Sequence, residues 1–189
     1  SKIEGDNGAY IRSAMGALRL FGAPEEEYWP YVIEDFDKEP SAFCYAYAQN
    51  FKAVSYFRLD SLVSNTDLLI RIKKSLNSKL PSVFGFSVYG AAIGLAASSG
   101  GIPMPDKQDK VVSGHAVCAV GYNDDIKITN WYDNTISTKG AFIIRNSWGK
   151  NWGDMGYGYL PYEYITAGLT ADWWSLIKQD WIDTNQFKP

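Results

Sequence analysis

The apolar positions near the start of the chain recur at the spacing of an amphipathic helix. Ile11, Met15 and Leu18 would share one face of a helix over residues 8–21. Asn7 can cap the start of this helix, and Gly-Ala-Pro at 22–24 ends it. We therefore predict a helix that packs through one apolar face.

A second segment with helical spacing covers residues 66–80. Its apolar face is formed by Leu69, Ile72 and Leu76. Lys73 and Lys74 occupy the side that we predict to face solvent, and Pro81 ends the helix.

Shorter runs rich in β-branched and aromatic residues predict strands in the second half of the chain. We assign strands to residues 82–89, 115–122, 141–145, 157–160 and 173–177. The polar, Gly/Asp/Asn-rich residues 123–140 suit a long hairpin loop, and the Ala/Gly/Ser-rich residues 90–112 suit another loop.

The remaining segments lack a regular pattern. Residues 23–64 are predicted to be irregular, apart from a helix-like stretch at 41–50. Within them, three aromatic residues are interpreted as packing anchors: Tyr28, Trp29 and Tyr31. The polar tail from Asp180 is expected to be loosely held.

The predicted hairpin brings two polar residues together. His115, the only histidine in the chain, would begin one strand, and Asn146 would follow the end of the other. In an antiparallel pair, the start of one strand lies beside the end of its partner. An amide oxygen that holds one imidazole nitrogen leaves the other nitrogen for proton transfer. The hairpin therefore predicts two members of a Cys-His-Asn catalytic arrangement.

Composition and charge narrow the class of protein. A chain of 189 residues, 46% of them hydrophobic, can bury a sizeable core and is typical of one globular domain with one or two lobes. The net charge is −3 and there is no basic stripe, which argues against nucleic-acid binding. No apolar run is long enough to span a bilayer. Two cysteines form no disulfide framework and do not identify a compartment.

Three motifs around His115 and Asn146 resemble those of the papain-like cysteine peptidases. They are Ser-Gly-His-Ala-Val at 113–117, Val-Gly-Tyr at 120–122, and Asn-Ser-Trp-Gly-Lys-Asn-Trp-Gly at 146–153, followed by Gly156 and Tyr157. Gly-Asp-Asn-Gly-Ala-Tyr at 5–10 is similar to the family's substrate-binding glycine turn, and Glu-Glu-Glu-Tyr-Trp-Pro-Tyr at 25–31 also fits. The resemblance covers nearly the whole chain, but the first part of the family's domain is missing.

The resemblance implies an α+β fold of two lobes, one helical and one an antiparallel β-barrel-like lobe, with the active-site cleft between them. Residues 1–64 would form the remainder of the helical lobe. Residues 65–189 would form the mainly β-rich lobe that carries His115 and Asn146.

The resemblance also implies thiol-dependent hydrolysis of peptide bonds, without a cofactor or a metal. His115 would activate the thiol and protonate the leaving amine, and Asn146 would orient His115. Trp148 would shield their hydrogen bond, and Trp152 would flank the leaving-group side.

Five further residues match peptide-binding positions of the family. Gly8 and Ala9 would hydrogen-bond an extended substrate through their backbone, and Tyr10 would lie near the wall of the S2 pocket. Ala9 replaces a glycine common in the family, so its methyl group could crowd this contact. Gly85 and Ala116 would line the S2 pocket and leave it wide enough for a bulky apolar residue.

Neither cysteine matches the family's nucleophile, which stands in a C-G-[SA]-C-[WY] context about 130–150 residues before the histidine. Cys44 lies only 71 residues before His115 (115 − 44), follows the glycine turn instead of preceding it, and lacks the preceding Gln or Gly of an oxyanion site. We interpret Cys44 as a buried thiol. Cys118 should point to the opposite sheet face from His115 and is also assigned to the core.

Three explanations fit the missing thiol. The chain could be one product of cleavage with a separate partner chain, a polypeptide that starts late, or a natural pseudopeptidase. The absence of an initiating Met and of a signal-like stretch favours the first two.

Two classes of function follow. The first is an endopeptidase that acts on peptide or protein substrates, with its cysteine in a segment or chain outside this one. The second is an inactive papain-like module that binds peptides or has a structural role. Retention of both His115 and Asn146 favours the enzyme. The resemblance favours an extracytoplasmic or secreted location, which the sequence itself does not establish.

Overall fold

The structure is a computed structural model that describes residues 8–181, except for the side chains of residues 53–54, 91–95 and 178–181. The helices are α1 (Ile11–Leu20), α2 (Ala42–Ala48), α3 (Asn65–Asn77), α4 (Gly90–Ser99) and α5 (Tyr162–Thr166), with a 3-10 turn at Ile33–Asp35. The strands are β1 (Phe51–Arg58), β2 (Ser82–Tyr89), β3 (Val111–Thr129), β4 (Ser137–Arg145), β5 (Tyr157–Pro161) and β6 (Thr170–Trp181). This combination confirms the predicted α+β class.

The strands form a six-stranded sheet in the order β1-β6-β2-β3-β4-β5. The chain divides into two compact units. Unit 1 comprises Ser1–Phe57 and Leu176–Pro189, and unit 2 comprises Arg58–Ser175. The lobe boundary after residue 64 stays a prediction.

Helix α1 in unit 1 lies within the predicted range, and Met15 is its buried residue. The N-cap is Tyr10, which makes no side-chain cap bond, and the predicted cap residue, Asn7, lies outside the described residues. Gly22 follows the helix with a positive φ of 84°, and a Cβ there would collide with the Ala48 carbonyl. Both its backbone conformation and this contact therefore require glycine after α1.

The segment before β1 is more ordered than predicted. Helix α2 confirms the helix-like stretch at 41–50, and Ser41 caps it by accepting a hydrogen bond from the Cys44 N–H at 3.3 Å. The Tyr28 ring packs against Tyr47 with centroids 4.7 Å apart, as expected of an anchor. Tyr31 is 83% exposed and is therefore not an anchor. Strand β1 was missed within a region predicted to be irregular.

Helix α3 in unit 2 confirms the second predicted helix. Ser64 caps it by accepting a hydrogen bond from the Asp67 N–H, and Ile72 is fully buried. The prediction that Lys73 faces solvent was wrong. Its ammonium bonds Asp124 at 2.7 Å and lies 4.1 Å from the centroid of the Tyr162 ring. A cation–π contact and an ion pair thus hold Lys73 against the fold.

The core of unit 2 lies on one face of the sheet. In β2 the buried positions alternate along the strand, as the period of a half-buried strand requires. Phe84 stacks on Trp173 with parallel rings and centroids 3.7 Å apart. The largest buried side chains around them include Phe142, Ile144, Leu160 and Tyr164.

The two predicted loops were partly wrong. Residues 90–99 form α4, which ends where Gly100 adopts a positive φ of 76°. Small residues obscured this helix, because Ala and Gly gave no helical contrast between apolar and polar positions. Residues 123–140 lie partly in strands: β3 runs to Thr129 and β4 starts at Ser137, so the loop between them covers only residues 130–136.

The end of the chain was also predicted to be loosely held from Asp180. Strand β6 continues to Trp181, and residues 182–189 lie outside the described residues. Within residues 8–181, no helix combines the length and the apolar character needed to cross a bilayer.

Candidate active site

His115 and Asn146 meet through their side chains. The distance between His115 Nε2 and Asn146 Oδ1 is 2.8 Å, as the predicted hairpin required. His115 lies inside β3, opposite Phe86 of β2, so the prediction that it begins the strand was wrong. Asn146 follows β4, where Cys118 and Arg145 are Cα partners, and its N–H donates to the Gly156 carbonyl at 3.0 Å.

The hydrogen bonds of Asn146 define the tautomer of the neutral imidazole. Asn146 Oδ1 also accepts the Ser147 backbone N–H at 2.8 Å, which identifies this atom as the oxygen of the amide. An amide oxygen only accepts hydrogen bonds, so the neutral His115 ring carries its proton on Nε2. Nδ1 is then left as the basic nitrogen.

Aromatic rings surround the imidazole. Trp148 stacks on His115 with centroids 4.7 Å apart and an interplanar angle of 26°. Phe86 meets the His115 ring at an angle of 68°, with centroids 6.0 Å apart. Trp152 stands perpendicular to Trp148 at 5.7 Å. These contacts keep water from parts of the imidazole and limit rotation of the ring.

The two tryptophans differ in exposure. Trp148 is 45% exposed and covers the imidazole at the surface, whereas Trp152 is 7% exposed. Among the described residues, the buried Nε1 of Trp152 has no hydrogen-bond partner. Trp148 thus covers the His115–Asn146 pair at the protein surface, whereas the buried Trp152 packs against Trp148.

The loop after Asn146 needs glycine after each tryptophan. Gly149 and Gly153 have positive φ values of 77° and 59°. A Cβ at residue 153 would collide with the Tyr157 carbonyl oxygen. The Gly153 N–H donates to the Ala97 carbonyl at 2.8 Å, so α4 helps to hold this loop. This role could not be predicted from the sequence, because the small residues at 90–99 indicated a loop.

Gly85 and Ala116 are brought together as Cα partners of β2 and β3. A Cβ on Gly85 would lie 3.7 Å from the nearest atom, the Ala171 carbonyl oxygen, so the backbone tolerates a small side chain there. Ala116 is exposed and lines an open cavity of about 400 Å³ that also reaches Asn146 and Cys118. The small residue beside the histidine therefore borders open space next to the His115–Asn146 pair.

The other predicted substrate-binding residues belong to unit 1. Gly8 has a positive φ of 71°, which fits a glycine turn. Ala9 is exposed, and Tyr10 is 82% exposed at the N-terminus of α1. Their role in substrate binding stays a prediction.

Both cysteines are thiols without disulfides, and neither has the surroundings of an activated nucleophile. Cys44 is 3% exposed, and its thiol donates to the Tyr28 carbonyl at 3.4 Å. Cys118 is half-buried, so its assignment to the core is only partly right. Burial raises the pKa of the Cys118 thiol, although nearby Arg145 acts in the opposite direction.

Comparison with known proteins identifies the family. The model of the papain family cysteine proteases matches residues 1–172. This chain therefore belongs to the papain family of cysteine proteases, which confirms the resemblance and the papain-like α+β fold. In the described part of the chain, no group of three or more His, Cys, Asp or Glu side chains could hold a metal ion.

Individual relatives agree with this assignment. A peptidase C1-like protein of Acanthamoeba polyphaga mimivirus is 33% identical over 193 residues, which cover 100% of this chain and 58% of that protein. Cysteine proteinase 1 of Entamoeba histolytica is 25% identical over 171 residues, or 89% of this chain and 46% of that protein. The structure of xylellain, a cysteine protease from Xylella fastidiosa, superposes with a TM-score of 0.70 at 33% identity and covers 96% of this chain and 66% of xylellain. The chain thus spans between about half and two thirds of the length of these proteins.

Proposed function

We propose that this chain supplies the histidine and asparagine of a papain-type cysteine endopeptidase, with the attacking thiol in polypeptide outside the given sequence. The observation that carries this proposal is the 2.8 Å contact between His115 Nε2 and Asn146 Oδ1. It leaves Nδ1 as the nitrogen that accepts the thiol proton.

The chemistry is acyl transfer through a thioester. Nδ1 of His115 takes the proton of the thiol, and the sulfur attacks the carbonyl carbon of the peptide. As the C–N bond breaks, the proton on Nδ1 passes to the leaving amine. A water then attacks the thioester with His115 as the base, which releases the acid and restores the thiol. Asn146 keeps the ring in place throughout without adding the charge of a carboxylate.

The proposal that the nucleophile lies elsewhere is supported by the state of the two thiols. Cys44 is buried and hydrogen-bonded to a backbone carbonyl, and Cys118 has a raised pKa. A reactive cysteine requires an accessible thiol that ionises readily. Neither residue meets both requirements.

Peptide binding is proposed at the positions carried over from the family. Gly85 and Ala116 would accept the P2 side chain, because both are small and Ala116 faces open space. Gly8 and Ala9 would bond the substrate backbone, with Tyr10 beside them.

The test is to locate the reactive thiol in the natural protein. The protein and the 189-residue chain alone are treated with an epoxide or vinyl-sulfone probe for activated thiols, digested, and mapped by mass spectrometry. We expect the label outside this sequence, and no peptide cleavage by the isolated chain. A label on Cys44 or Cys118, or robust cleavage by the pure chain that is lost in Cys44→Ala, would contradict the proposal.

Two substitutions in the natural protein separate the enzyme from an inactive peptide-binding module. His115→Ala should lower kcat/KM by roughly 10²–10⁴-fold, because the general acid and base is lost. Asn146→Ala should have a smaller effect, since the imidazole remains. Substrate peptides that bind but are not cleaved by the unaltered protein would instead support the inactive module.

A further inference from the structure

A groove in unit 1 has an apolar floor and lies far along the sequence from His115 and Asn146. Its volume is about 640 Å³, and it is lined by residues between Pro24 and Lys38. Three of the lining side chains are large, apolar and exposed to solvent: Tyr31 at 83%, Ile33 at 70% and Phe36 at 60%. Exposed apolar side chains gathered around one concave surface mark a binding site more often than single exposed residues do.

The charge around this groove is predominantly negative. Residues 24–39 contain seven acidic side chains and one basic one, a formal charge of −6, whereas the whole chain carries −3. Glu26 and Glu34 line the groove and are exposed. The one lysine, Lys38, is paired with Asp35 at 2.6 Å. An uncompensated negative field therefore surrounds the apolar floor.

The backbone beneath the groove is held in place by turns and by α2. The Asp35 N–H donates to the Val32 carbonyl at 3.0 Å, and the Lys38 N–H donates to the Asp35 carbonyl at 3.0 Å. At the other end of the segment, the Tyr28 carbonyl accepts the Cys44 thiol, and its ring packs on α2. The groove is thus built on an ordered segment, which favours binding without a large ordering cost.

We infer that this groove binds a cationic, amphipathic polypeptide segment, in which aliphatic or aromatic side chains fill the floor and Lys or Arg side chains lie against Glu26 and Glu34. The apolar floor requires apolar groups in the ligand, and the acidic rim requires positive charge beside them. The same field repels nucleic acid and anionic lipid surfaces. A second copy of the chain would bring another acidic rim to this site.

The binding test uses the full chain and a labelled peptide. A fluorescein-labelled decapeptide that alternates Lys with Leu or Phe is titrated with the protein, and its fluorescence anisotropy is followed. A matched peptide carries Glu in place of every Lys. We expect saturable binding of the cationic peptide alone, and weaker binding at about 0.15 M salt than at low salt because exposed charges are screened.

Two groove variants separate the contributions of charge and apolar contact. Glu26→Gln together with Glu34→Gln should weaken binding roughly three- to tenfold, because both charges are removed while shape is kept. Ile33→Ala together with Phe36→Ala should weaken it at least about tenfold. The matched controls are Asp125→Asn, whose side chain is 85% exposed, and Ile70→Ala, which replaces a side chain 47% exposed on α3. Both controls should bind as the unaltered protein does.

Several results would overturn the inference. They are equal binding of the cationic and acidic peptides, no saturable binding, or unchanged affinity in both groove variants. Self-association that is lost in Ile33→Ala with Phe36→Ala would instead make the groove an interface between two copies. Peptide binding is measured without turnover, so failure of the proposed peptidase role would leave these results unaffected.

Discussion

Trp152 and Gly158 lie so close together that residue 158 has no room for a side chain. A Cβ atom there would stand 2.7 Å from Trp152 Cη2 and 2.9 Å from the Gly100 carbonyl oxygen. Trp152 in turn supports Trp148, which stacks on His115. A glycine of β5 thus leaves the space that Trp152 occupies beneath Trp148.

Gly158→Ala should destabilise the protein by about 1–3 kcal/mol, because an added methyl group in a packed site forces its neighbours to move. The free energy of unfolding is measured by urea denaturation. The control is Gly16→Ala in α1, where the nearest atom to a new Cβ is the Tyr56 hydroxyl at 4.0 Å. That substitution should stabilise the protein by roughly 0.5–1 kcal/mol, because it removes glycine from a helix interior. Equal stability of both variants would contradict the close contact of residue 158 with Trp152 and the Gly100 carbonyl.

Removing the Asn146 amide should weaken the preference of the neutral His115 ring for the tautomer with the proton on Nε2. Since His115 is the only histidine, its ring nitrogens can be followed in a long-range ¹H–¹⁵N spectrum without assignment of other histidines. In the unaltered protein, at a pH where the ring is neutral, we expect the proton on Nε2. In Asn146→Ala, the ratio of the two tautomers should shift roughly twofold to tenfold toward Nδ1–H, the range that a net hydrogen-bond contribution of about 0.5–1.5 kcal/mol allows.

The matched control for this experiment is Asn151→Ala, which changes an exposed asparagine in the same loop. Its spectrum should equal that of the unaltered protein. A proton on Nδ1 in the unaltered protein would remove the basis for His115 as the base.

The meeting of His115 and Asn146 could be predicted from the sequence, because strand pairing and loop composition together constrain a hairpin. The strand bounds were less accurate. His115 lies within β3, and both strands run further toward the hairpin tip than their apolar patterns indicated. Pairs such as Lys127 with Lys139 are polar on both strands, so hydrophobic alternation gave no signal for them.

Contacts between residues distant in sequence could not be predicted from local patterns. Helix α4 was missed because small residues gave no periodic contrast, and with it the Ala97 carbonyl that holds Gly153. The exposure of Tyr31 was also not predicted, because its aromatic ring was interpreted as a packing anchor. In each case, the outcome depends on neighbours that the local pattern does not contain.

The Asp60 carboxylate should make stability depend on pH in the acid range. Burial alone would raise the pKa of Asp60, but hydrogen bonds from Arg58 at 2.7 Å and from the Asp172 N–H at 2.9 Å outweigh it and lower the pKa. The folded protein therefore binds this proton less readily than the unfolded chain. The contribution of Asp60 is present above the ordinary carboxyl pKa of about 4 and is lost as the pH falls through the lower folded value.

The Asp60→Asn variant should be about 1–3 kcal/mol less stable than the unaltered protein at pH 7. Its free energy of unfolding should also fall less than that of the unaltered protein between pH 5 and pH 3. Urea denaturation at pH 3, 5 and 7 measures both effects. Asp125→Asn, whose side chain is 85% exposed beside Lys139, should change stability at pH 7 by no more than about 0.5 kcal/mol. An identical loss between pH 5 and pH 3 in Asp60→Asn and the unaltered protein would show that Asp60 is not the group responsible.

Asn130 should hold the tip of the β3–β4 hairpin. It is 2% exposed, its Nδ2 donates to the Met104 carbonyl at 2.8 Å, and its Oδ1 accepts the backbone N–H groups of Tyr132 and Asp133 at 2.8 and 3.2 Å. Asn130→Ala leaves these buried groups without partners and should cost about 1–3 kcal/mol. Hydrogen exchange of the amides in residues 127–139 should accelerate, whereas Asn134→Ala, which changes an exposed residue of the same loop, should leave exchange unchanged. If hydrogen exchange in Asn130→Ala is as slow as in Asn134→Ala, the Asn130 side chain does not hold the hairpin tip to the segment around Met104.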